Sequence, residues 1–287
     1  MSDDRPLVHL RLQSTPETLT LVRGVLGALA ELLALDAELL DDLKTAISEA
    51  CNNVVVHAYG GDVGPLDVFL YVASDGLEAV ICDEGSGLPE GTDPEEGMHG
   101  VGLPLIKALT NGAVDFDQPA GGGTIVRMRF PGERAGQSLF RPPASIALED
   151  GWFRRLDGEA VVSLSPISFV GPVLGRLARA LAARARFSLD RFSDVYLVTD
   201  AIAAELTTAA TAARVGFAIA TEPRRLSIQL GPLKDGSGRA IMEAAQMPDG
   251  GSPLVLLSDH LITRPDDAGE LLEVVMTDHP ARTAAPL

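Results

Sequence analysis

The chain has 287 residues, of which 46% are hydrophobic and 22% charged, as is ordinary for a globular protein that buries a core. Its 40 Asp and Glu outnumber its 23 Lys and Arg, for a formal net charge of −17, which argues against nucleic acid and anionic membrane surfaces as partners. No apolar run approaches the roughly 20 residues of a membrane span, and the acidic start at Met1–Asp4 is unlike a signal peptide. Cys51 and Cys82 lie outside any metal-binding motif, so we predict a reduced, cytoplasmic protein.

The first half of the chain predicts a strand, two helices, two strands, a helix and two strands. The first helix is predicted to begin at a capping box from Ser14 to Glu17 or at Thr15 before Pro16, and Asp75-Gly76 predicts a hairpin turn. This order indicates an α+β fold, a mostly antiparallel sheet with helices on one face. The predicted strands are Val8–Leu12, Leu66–Ala73, Leu77–Cys82, Ala113–Phe116 and Thr124–Phe130, and the predicted helices after the first are Asp36–Gly60 and Val101–Leu109.

Segments of the second half weakly resemble segments of the first half, in the same order. Asp235-Gly236-Ser237-Gly238 resembles Glu84-Gly85-Ser86-Gly87, and Val173–Leu177 resembles Val25–Leu29. We therefore predict an internal duplication, with an unrelated α/β sensing or interaction domain as the alternative. The segment PGERAGQSLFRPPAS between the halves has the composition of a linker. The predicted division is a domain over residues 1–131, a linker over 132–146 and a second domain over 147–287.

Four segments of the first half carry residues suited to nucleotide chemistry. SEACNNVVVHAY places Glu49 and Asn53 four residues apart, on one face of the second helix, although a solvated face alone also explains them. The segment DEGSG, from Asp83, directly follows a strand, where glycines allow a ligand close to the backbone. HGVGL, from His99, opens a helix whose free N–H groups suit phosphate. Gly123 and Thr124 then begin the last strand.

In this order and spacing, the four segments resemble the GHKL superfamily of ATPases, over about residues 7 to 131. Within it they are most similar to the anti-sigma-factor serine/threonine kinases of bacterial partner-switching systems. SEACNNVVVHAY resembles the family's N-box, and DEGSG, HGVGL and GGT resemble its first, second and third glycine boxes. With the duplication, the resemblance implies two tandem α/β sandwiches of the Bergerat (histidine-kinase-like ATPase) type, the second one degenerate.

The resemblance also implies roles for single residues. Glu49 matches the family's general base, and Asn53 matches its Mg²⁺ ligand, an oxygen donor that bridges the metal to the ATP phosphates. Asp83 matches the residue that reads the adenine amine. The other implied nucleotide-binding positions are Gly85 and Gly87 near the base, Gly100, Val101 and Gly102 over the phosphates, and Thr124 near the adenine. Four neighbouring residues have two possible roles each, either as a contact to the nucleotide or a protein partner or as an ordinary helix residue. They are Asn52, His57, Arg23 and Lys107.

The second half lacks these groups. Alignment on the GSG echo places Asp200, Ala204 and Lys234 opposite Glu49, Asn53 and Asp83, and a register one residue later places Ala201 and Glu205 opposite the first two. Neither register supplies an Asn for a metal. We therefore predict a copy that binds no nucleotide. Because the kinases that the chain resembles work as dimers, this copy is predicted to act as a built-in partner subunit, with a homodimer as the alternative.

The resemblance implies an ATP-binding serine/threonine protein kinase and anti-sigma regulatory factor. Its predicted cofactors are ATP and Mg²⁺, and its predicted partner is an anti-sigma antagonist or a sigma factor, with no direct contact to nucleic acid or membrane. The alternatives are a non-catalytic, nucleotide-gated protein-binding module and a slow ATPase. The presence of both Glu49 and Asn53 favours catalysis.

Overall fold

In the computed structural model, residues 5–73, 76–87, 102–119, 121–131, 151–244 and 251–279 are described. The strands of these residues form one sheet in the order β4-β5-β3-β2-β1-β6-β7-β8-β10-β9, and every neighbouring pair is antiparallel. Strands β1 to β5 are Val8–Gln13, Pro65–Ala73, Gly76–Asp83, Val114–Asp117 and Ile125–Pro131, and strands β6 to β10 are Ala160–Leu164, Val215–Glu222, Arg225–Leu233, His260–Asp266 and Gly269–Thr277.

Helices pack on one face of this sheet. They form a layer in which α1 contacts both α2 and α4, and α4 contacts α5. None of the helices in the described ranges is long and apolar enough to cross a membrane. Helices α1 to α3 are Thr18–Leu33, Ala37–Asn53 and Gly102–Leu109, with a π-helical turn at Val54–Ala58 after α2, and helices α4 to α7 are Val170–Arg184, Leu189–Ala209, Ser237–Ala244 and Pro253–Leu257.

The two halves of the chain meet at β1 and β6. Leu10 in β1 lies opposite Val162 in β6, and both side chains are buried. Outward from this junction the strands run β1-β2-β3-β5-β4 on one side and β6-β7-β8-β10-β9 on the other, so each half has the same topology. The α+β fold with a mostly antiparallel sheet is confirmed, and the two sandwiches share one sheet. The predicted linker, residues 132–146, lies outside the described residues.

One apolar core runs through both halves, between the sheet and the helix layer. It forms because alternate strand residues, such as Leu10 and Val68, point toward the helices while their neighbours point away. On the opposite face, Trp152, Phe153 and Leu156 form a smaller buried cluster with strands β6 and β7. The ring of His9 stacks there on Phe69, with a centroid distance of 4.1 Å.

The predicted start of the first helix is wrong in both of its forms. Helix α1 begins at Thr18 without a side-chain cap. The hydroxyl of Ser14 instead accepts the N–H of Gly64 at 2.9 Å, and the N–H of Ser14 donates to the Gly64 carbonyl at 2.8 Å. The end of β1 lies beside the residues that lead into β2, so this tertiary contact replaces the local cap.

Three further elements differ from the sequence predictions. The second helix changes at Val54–Ala58 to π-helical hydrogen bonding, which its apolar periodicity does not reveal. Strand β7, Val215–Glu222, was not predicted because its five leading residues are all buried and show no alternation. Helix α6, Ser237–Ala244, begins within the Asp235–Gly238 segment, whose glycines indicate a loop.

Leu10→Ala is predicted to lower the free energy of unfolding by about 2–5 kcal/mol, because it leaves a cavity at the junction. Val162→Ala should couple with it by about 0.5–3 kcal/mol, because the two side chains are neighbours. Urea unfolding followed by far-UV circular dichroism and by fluorescence of Trp152, the chain's one Trp, should give coincident transitions.

The matched control is Val63→Ala at a side chain that is 58% exposed, where a change below about 0.5 kcal/mol is expected. If Leu10→Ala leaves the Trp152 transition in place while the circular dichroism signal splits into two steps, the halves unfold separately and the shared sheet is not a cooperative unit.

Candidate functional site

Glu49 and Asn53 lie one helical turn apart near the end of α2, and both are half-buried. The first residue of α3 lies against them. A Cβ placed on Gly102 would be 3.1 Å from Glu49 Oε2 and 3.9 Å from Asn53 Oδ1, so a larger residue would fill the space in front of both. The N-terminus of a helix offers free N–H groups and a positive dipole end. A carboxylate, an amide and a helix N-terminus suited to anions therefore border one space.

Asp83 ends β3 with only 8% of its surface exposed. Its Oδ1 accepts the N–H of Gly85 at 2.9 Å, and its own N–H donates to the Thr124 carbonyl at 3.1 Å. Burial raises the pKa of the Asp83 carboxyl, although hydrogen bonds from Gly85 and Thr124 act to lower that pKa. The Asp83 carboxyl is thus held in direction by the Gly85 N–H and largely shielded from water.

The loop after β3 packs closely against two neighbours, the residues that lead into β5 and the π-helical turn after α2, because two positions are glycines. A Cβ on Gly123 would lie 2.1 Å from the Asp83 carbonyl oxygen, and a Cβ on Gly85 would lie 2.2 Å from that of Ala58. The N–H of Gly123 donates to the Gly85 carbonyl at 2.8 Å. A side chain on Gly123 would push the first and third glycine segments apart, and a side chain on Gly85 would push the loop away from the π-helical turn that contains Ala58.

The same loop is joined to the end of α2. The N–H of Ser86 donates to the Ala58 carbonyl at 3.0 Å, and the N–H of Glu84 donates to the Tyr59 hydroxyl at 2.8 Å. The N-box helix and the first and third glycine segments therefore form one connected structure. Three of the four predicted segments meet through direct contacts, and Gly102 of the remaining segment, HGVGL, lies beside the N-box helix.

The structure locates most of the predicted positions but not all of them. Gly87 contacts the third glycine segment, since its Cβ would lie 3.2 Å from the Gly123 carbonyl oxygen. Thr124 is half-buried at the start of β5. Gly100 and Val101 lie outside the described residues.

The four ambiguous neighbours of the site differ in exposure. Arg23 is exposed on α1, where its Nε donates to Ser48 Oγ of α2 at 2.8 Å. His57 is exposed in the π-helical turn, and Asn52 and Lys107 are half-buried. The Arg23 side chain thus ties the site helix α2 to its neighbour α1.

Sequence reasoning missed Tyr59. Its hydroxyl donates to the Pro65 carbonyl at 2.5 Å and accepts from Glu84, as described above. A Cβ on Gly64 would lie 2.2 Å from its ring. The only signal in the sequence is its place directly after the N-box helix, and that spacing does not show that the hydroxyl reaches the glycine loop.

In the second half, the backbone makes a glycine contact like that of Gly123 with Asp83, but the side chains beside it differ. A Cβ on Gly269 would lie 2.1 Å from the Leu233 carbonyl oxygen, as Gly123 lies against Asp83. Leu233, and not Lys234, is therefore the counterpart of Asp83, which corrects the alignment on the GSG echo. Lys234 instead donates from Nζ to the Thr208 carbonyl at 2.7 Å.

Helix α5 matches α2 in the later of the two predicted registers. Both helices begin after a side-chain N-cap, Asp36 for α2 and Ser188 for α5, and alignment of these caps places Ala201 opposite Glu49 and Glu205 opposite Asn53. Helix α6 follows the loop after β8 and contacts α5. The Glu270 carboxylate binds the start of α6, accepting from Gly236 N at 2.8 Å and from Gly238 N at 3.1 Å.

Known proteins match the first half of the chain. The model of the histidine kinase-like ATPase domain matches residues 12–130. The serine-protein kinase RsbW of Bacillus licheniformis is 31% identical over 117 residues, which cover 36% of this chain and 73% of that protein. The anti-sigma F factor of Caldanaerobacter subterraneus is 27% identical over 131 residues, which cover 42% of this chain and 91% of that protein.

Among solved structures, the RsbU and RsbW domains of Rv1364c from Mycobacterium tuberculosis align with 42% of this chain and 31% of that chain, at 26% identity and a TM-score of 0.34. The family match over residues 12–130 contains the N-box and all three glycine segments. These motifs, the antiparallel fold and the relatives agree, and the chain belongs to the histidine kinase-like ATPase family.

Proposed function

We propose that the chain is an ATP-dependent serine/threonine protein kinase and an anti-sigma regulatory factor of a bacterial partner-switching system. The observation that carries this proposal is that Glu49 and Asn53 border the N-terminus of α3, while Asp83 ends β3 directly before a loop that is joined to the turn following the same helix α2. Relatives named as a serine-protein kinase and as an anti-sigma F factor support it.

The residues of the site fit ATP and Mg²⁺. Asp83 offers a shielded carboxylate for the adenine amine, and Thr124 adds a hydroxyl beside it. At the other end, the space that a Cβ on Gly102 would fill lies beside Asn53, whose amide oxygen suits a hard, hydrated cation. When bound, Mg²⁺ would offset the negative charge that phosphoryl transfer has to accommodate.

Glu49 is the residue proposed to carry out proton transfer. Its carboxylate would accept the proton of a serine hydroxyl on the partner protein as that oxygen attacks the γ-phosphoryl group, and ADP would leave. Asn53, one turn further along α2, would hold the metal that orients the phosphates. The role of α2 is to keep the base and the metal ligand at a fixed separation, since both side chains project from one rigid helix.

A nucleotide-gated protein-binding module is the second candidate, and a slow ATPase is the third. The relative named as an anti-sigma F factor favours a binding role. Against a binding role alone stands Glu49, because a carboxylate beside the phosphate end repels bound phosphates and offers nothing to simple binding. That cost is understandable if the carboxylate acts as a base.

The charge distribution suggests the chemistry of the partner. Residues 1–131 contain 21 of the 40 acidic residues of the chain but only 7 of its 23 basic residues. The half that carries the site is therefore the strongly acidic one. A field of this sign attracts a partner with a basic surface and increases the rate of their association. The proposed antagonist or sigma factor would meet this half with a basic face.

For the second half, we propose a degenerate copy that acts as a built-in partner subunit, joined to the first by the predicted linker over residues 132–146. Its matching topology supports the duplication. Leu233, Ala201 and Glu205 stand where the first half has Asp83, Glu49 and Asn53. In addition, α6 packs on α5 beside the segment Asp235–Gly238. The side chain of Ile241 in α6 is buried.

Glu49→Gln is predicted to lower the rate of serine phosphorylation by roughly 100-fold or more, because general-base catalysis contributes about that much. Affinity for Mg-ADP should not fall, since the side chain keeps its shape and loses a charge that repels the phosphates. The measurement is phosphoserine formation on candidate antagonist proteins with Mg-ATP, detected by mass spectrometry. Glu38→Gln, at an exposed residue of the same helix, is the matched control and should leave the rate unchanged. Full transfer by Glu49→Gln would rule out the mechanism, and Mg-ADP binding by the wild type with no transfer would support the binding module.

Affinity for ADP is predicted to fall as the pH decreases through the raised pKa of Asp83. The loss should begin above the range near 3.9 where an exposed aspartate titrates, because protonation removes an acceptor for the adenine amine. Calorimetric titration with ADP across this range measures the loss. IDP, which has a carbonyl in place of the amine, is the control for titration of the phosphates. An identical pH dependence for ADP and IDP would mean that Asp83 does not bind the amine.

A further inference from the structure

Tyr59 connects three parts of the chain around the proposed nucleotide site. It follows the π-helical turn at the end of α2, and its hydroxyl bridges the N–H of Glu84, at 2.8 Å, and the carbonyl of Pro65, at 2.5 Å. Glu84 directly follows Asp83, and Pro65 begins β2. The hydroxyl therefore fastens the residue after Asp83 to a neighbouring strand of the sheet.

The ring of Tyr59 packs closely against the backbone of Gly64. A Cβ on Gly64 would lie 2.2 Å from ring atom Cε1, so the ring rests on bare backbone. Gly64 is held in turn by Ser14, whose hydroxyl accepts its N–H at 2.9 Å. Burial raises the pKa of the Tyr59 phenol, so the group stays protonated at neutral pH and can both donate and accept.

The π-helical turn supplies a second attachment for the same loop. It directs the Ala58 carbonyl toward Ser86, whose N–H donates to it at 3.0 Å. Gly85 lies between these two attachments, with no room for a side chain. π-Helical turns within or after α-helices are frequent at functional sites. Here the turn places Ala58 and Tyr59 one after the other against the loop.

We infer that Tyr59 is a positioning residue that sets the preference of the site for adenine nucleotides, by fixing the backbone from which Asp83 projects. This inference rests on the proposed function. A carboxylate discriminates an amine donor from a carbonyl acceptor only if it is held in place, because a mobile side chain turns away from the acceptor. Tyr59 does not touch the base and acts through Asp83.

The test is the affinity of wild type and Tyr59→Phe for Mg-ADP and Mg-GDP, measured by calorimetry. Phe keeps the ring packed against Gly64 but removes both hydrogen bonds of the hydroxyl, so ADP affinity should fall about tenfold. GDP affinity should change little, so the ADP-to-GDP affinity ratio should also fall by about tenfold. A purely structural role would lower thermal stability without changing this ratio.

Two controls isolate the hydroxyl. Glu84→Ala removes an exposed side chain that pairs with Arg11 at 3.7 Å but keeps the N–H that Tyr59 accepts, so the ratio should hold. Tyr196→Phe removes a hydroxyl from a residue of α5 that is 51% exposed, and it should also leave the ratio unchanged. Gly64→Ala displaces the ring without altering Tyr59, and it should reproduce the loss if Tyr59→Phe does not fold.

The outcomes separate the inference from the proposed function. Wild type that binds neither nucleotide would contradict the proposed function itself. Wild type that prefers ADP, together with Tyr59→Phe and Gly64→Ala variants that keep the same ratio, would overturn the positioning role alone. A ratio that falls in both variants but in neither control would support it.

Discussion

The antiparallel pairing of β1 with β6 is the contact on which the rest of the structure depends. An unpaired edge strand exposes N–H and C=O groups that invite pairing with another chain, and here each half covers the edge of the other. The pairing also brings α1 beside α4, where Glu31 and Arg176 form an ion pair. Gly27 leaves room for that guanidinium, because a Cβ there would lie 2.8 Å from its nitrogen. The shared sheet thus aligns the helix layers of both halves.

The two halves share one backbone arrangement but carry different side chains on it. In both halves a glycine at the start of a strand presses against the carbonyl of the residue that ends a neighbouring strand, as Gly123 does with Asp83 and Gly269 does with Leu233. In the first half that residue carries a carboxylate, and the loop after it is tied to α2. In the second half it carries an apolar side chain, and the Glu270 carboxylate occupies the loop N–H groups. The framework alone does not make a site, because the side chains decide the chemistry.

Much of the fold could be predicted from the sequence, because strand alternation and helical periodicity are local signals. Glu49 and Asn53 could be placed on one helix face for the same reason. Contacts between distant segments could not be predicted. Ser14 binds Gly64 instead of capping α1, and Tyr59 reaches Glu84 across the site. Both depend on tertiary placement, which local spacing does not encode. The topology of the second half was indicated only by weak sequence similarity to the first half. One reason is that its glycine segment, Asp235–Gly238, runs directly into helix α6.

We propose that this chain, with its two related halves, has one nucleotide site. Native mass spectrometry of the full chain with excess Mg-ADP tests it most directly, because it counts chains and nucleotides in one particle. We expect a single chain of 30.1 kDa that carries one ADP, and we expect Asp83→Asn to weaken this binding. Two ADP molecules per chain would contradict the degenerate second half, and a stable dimer joined through the first halves would contradict the built-in partner.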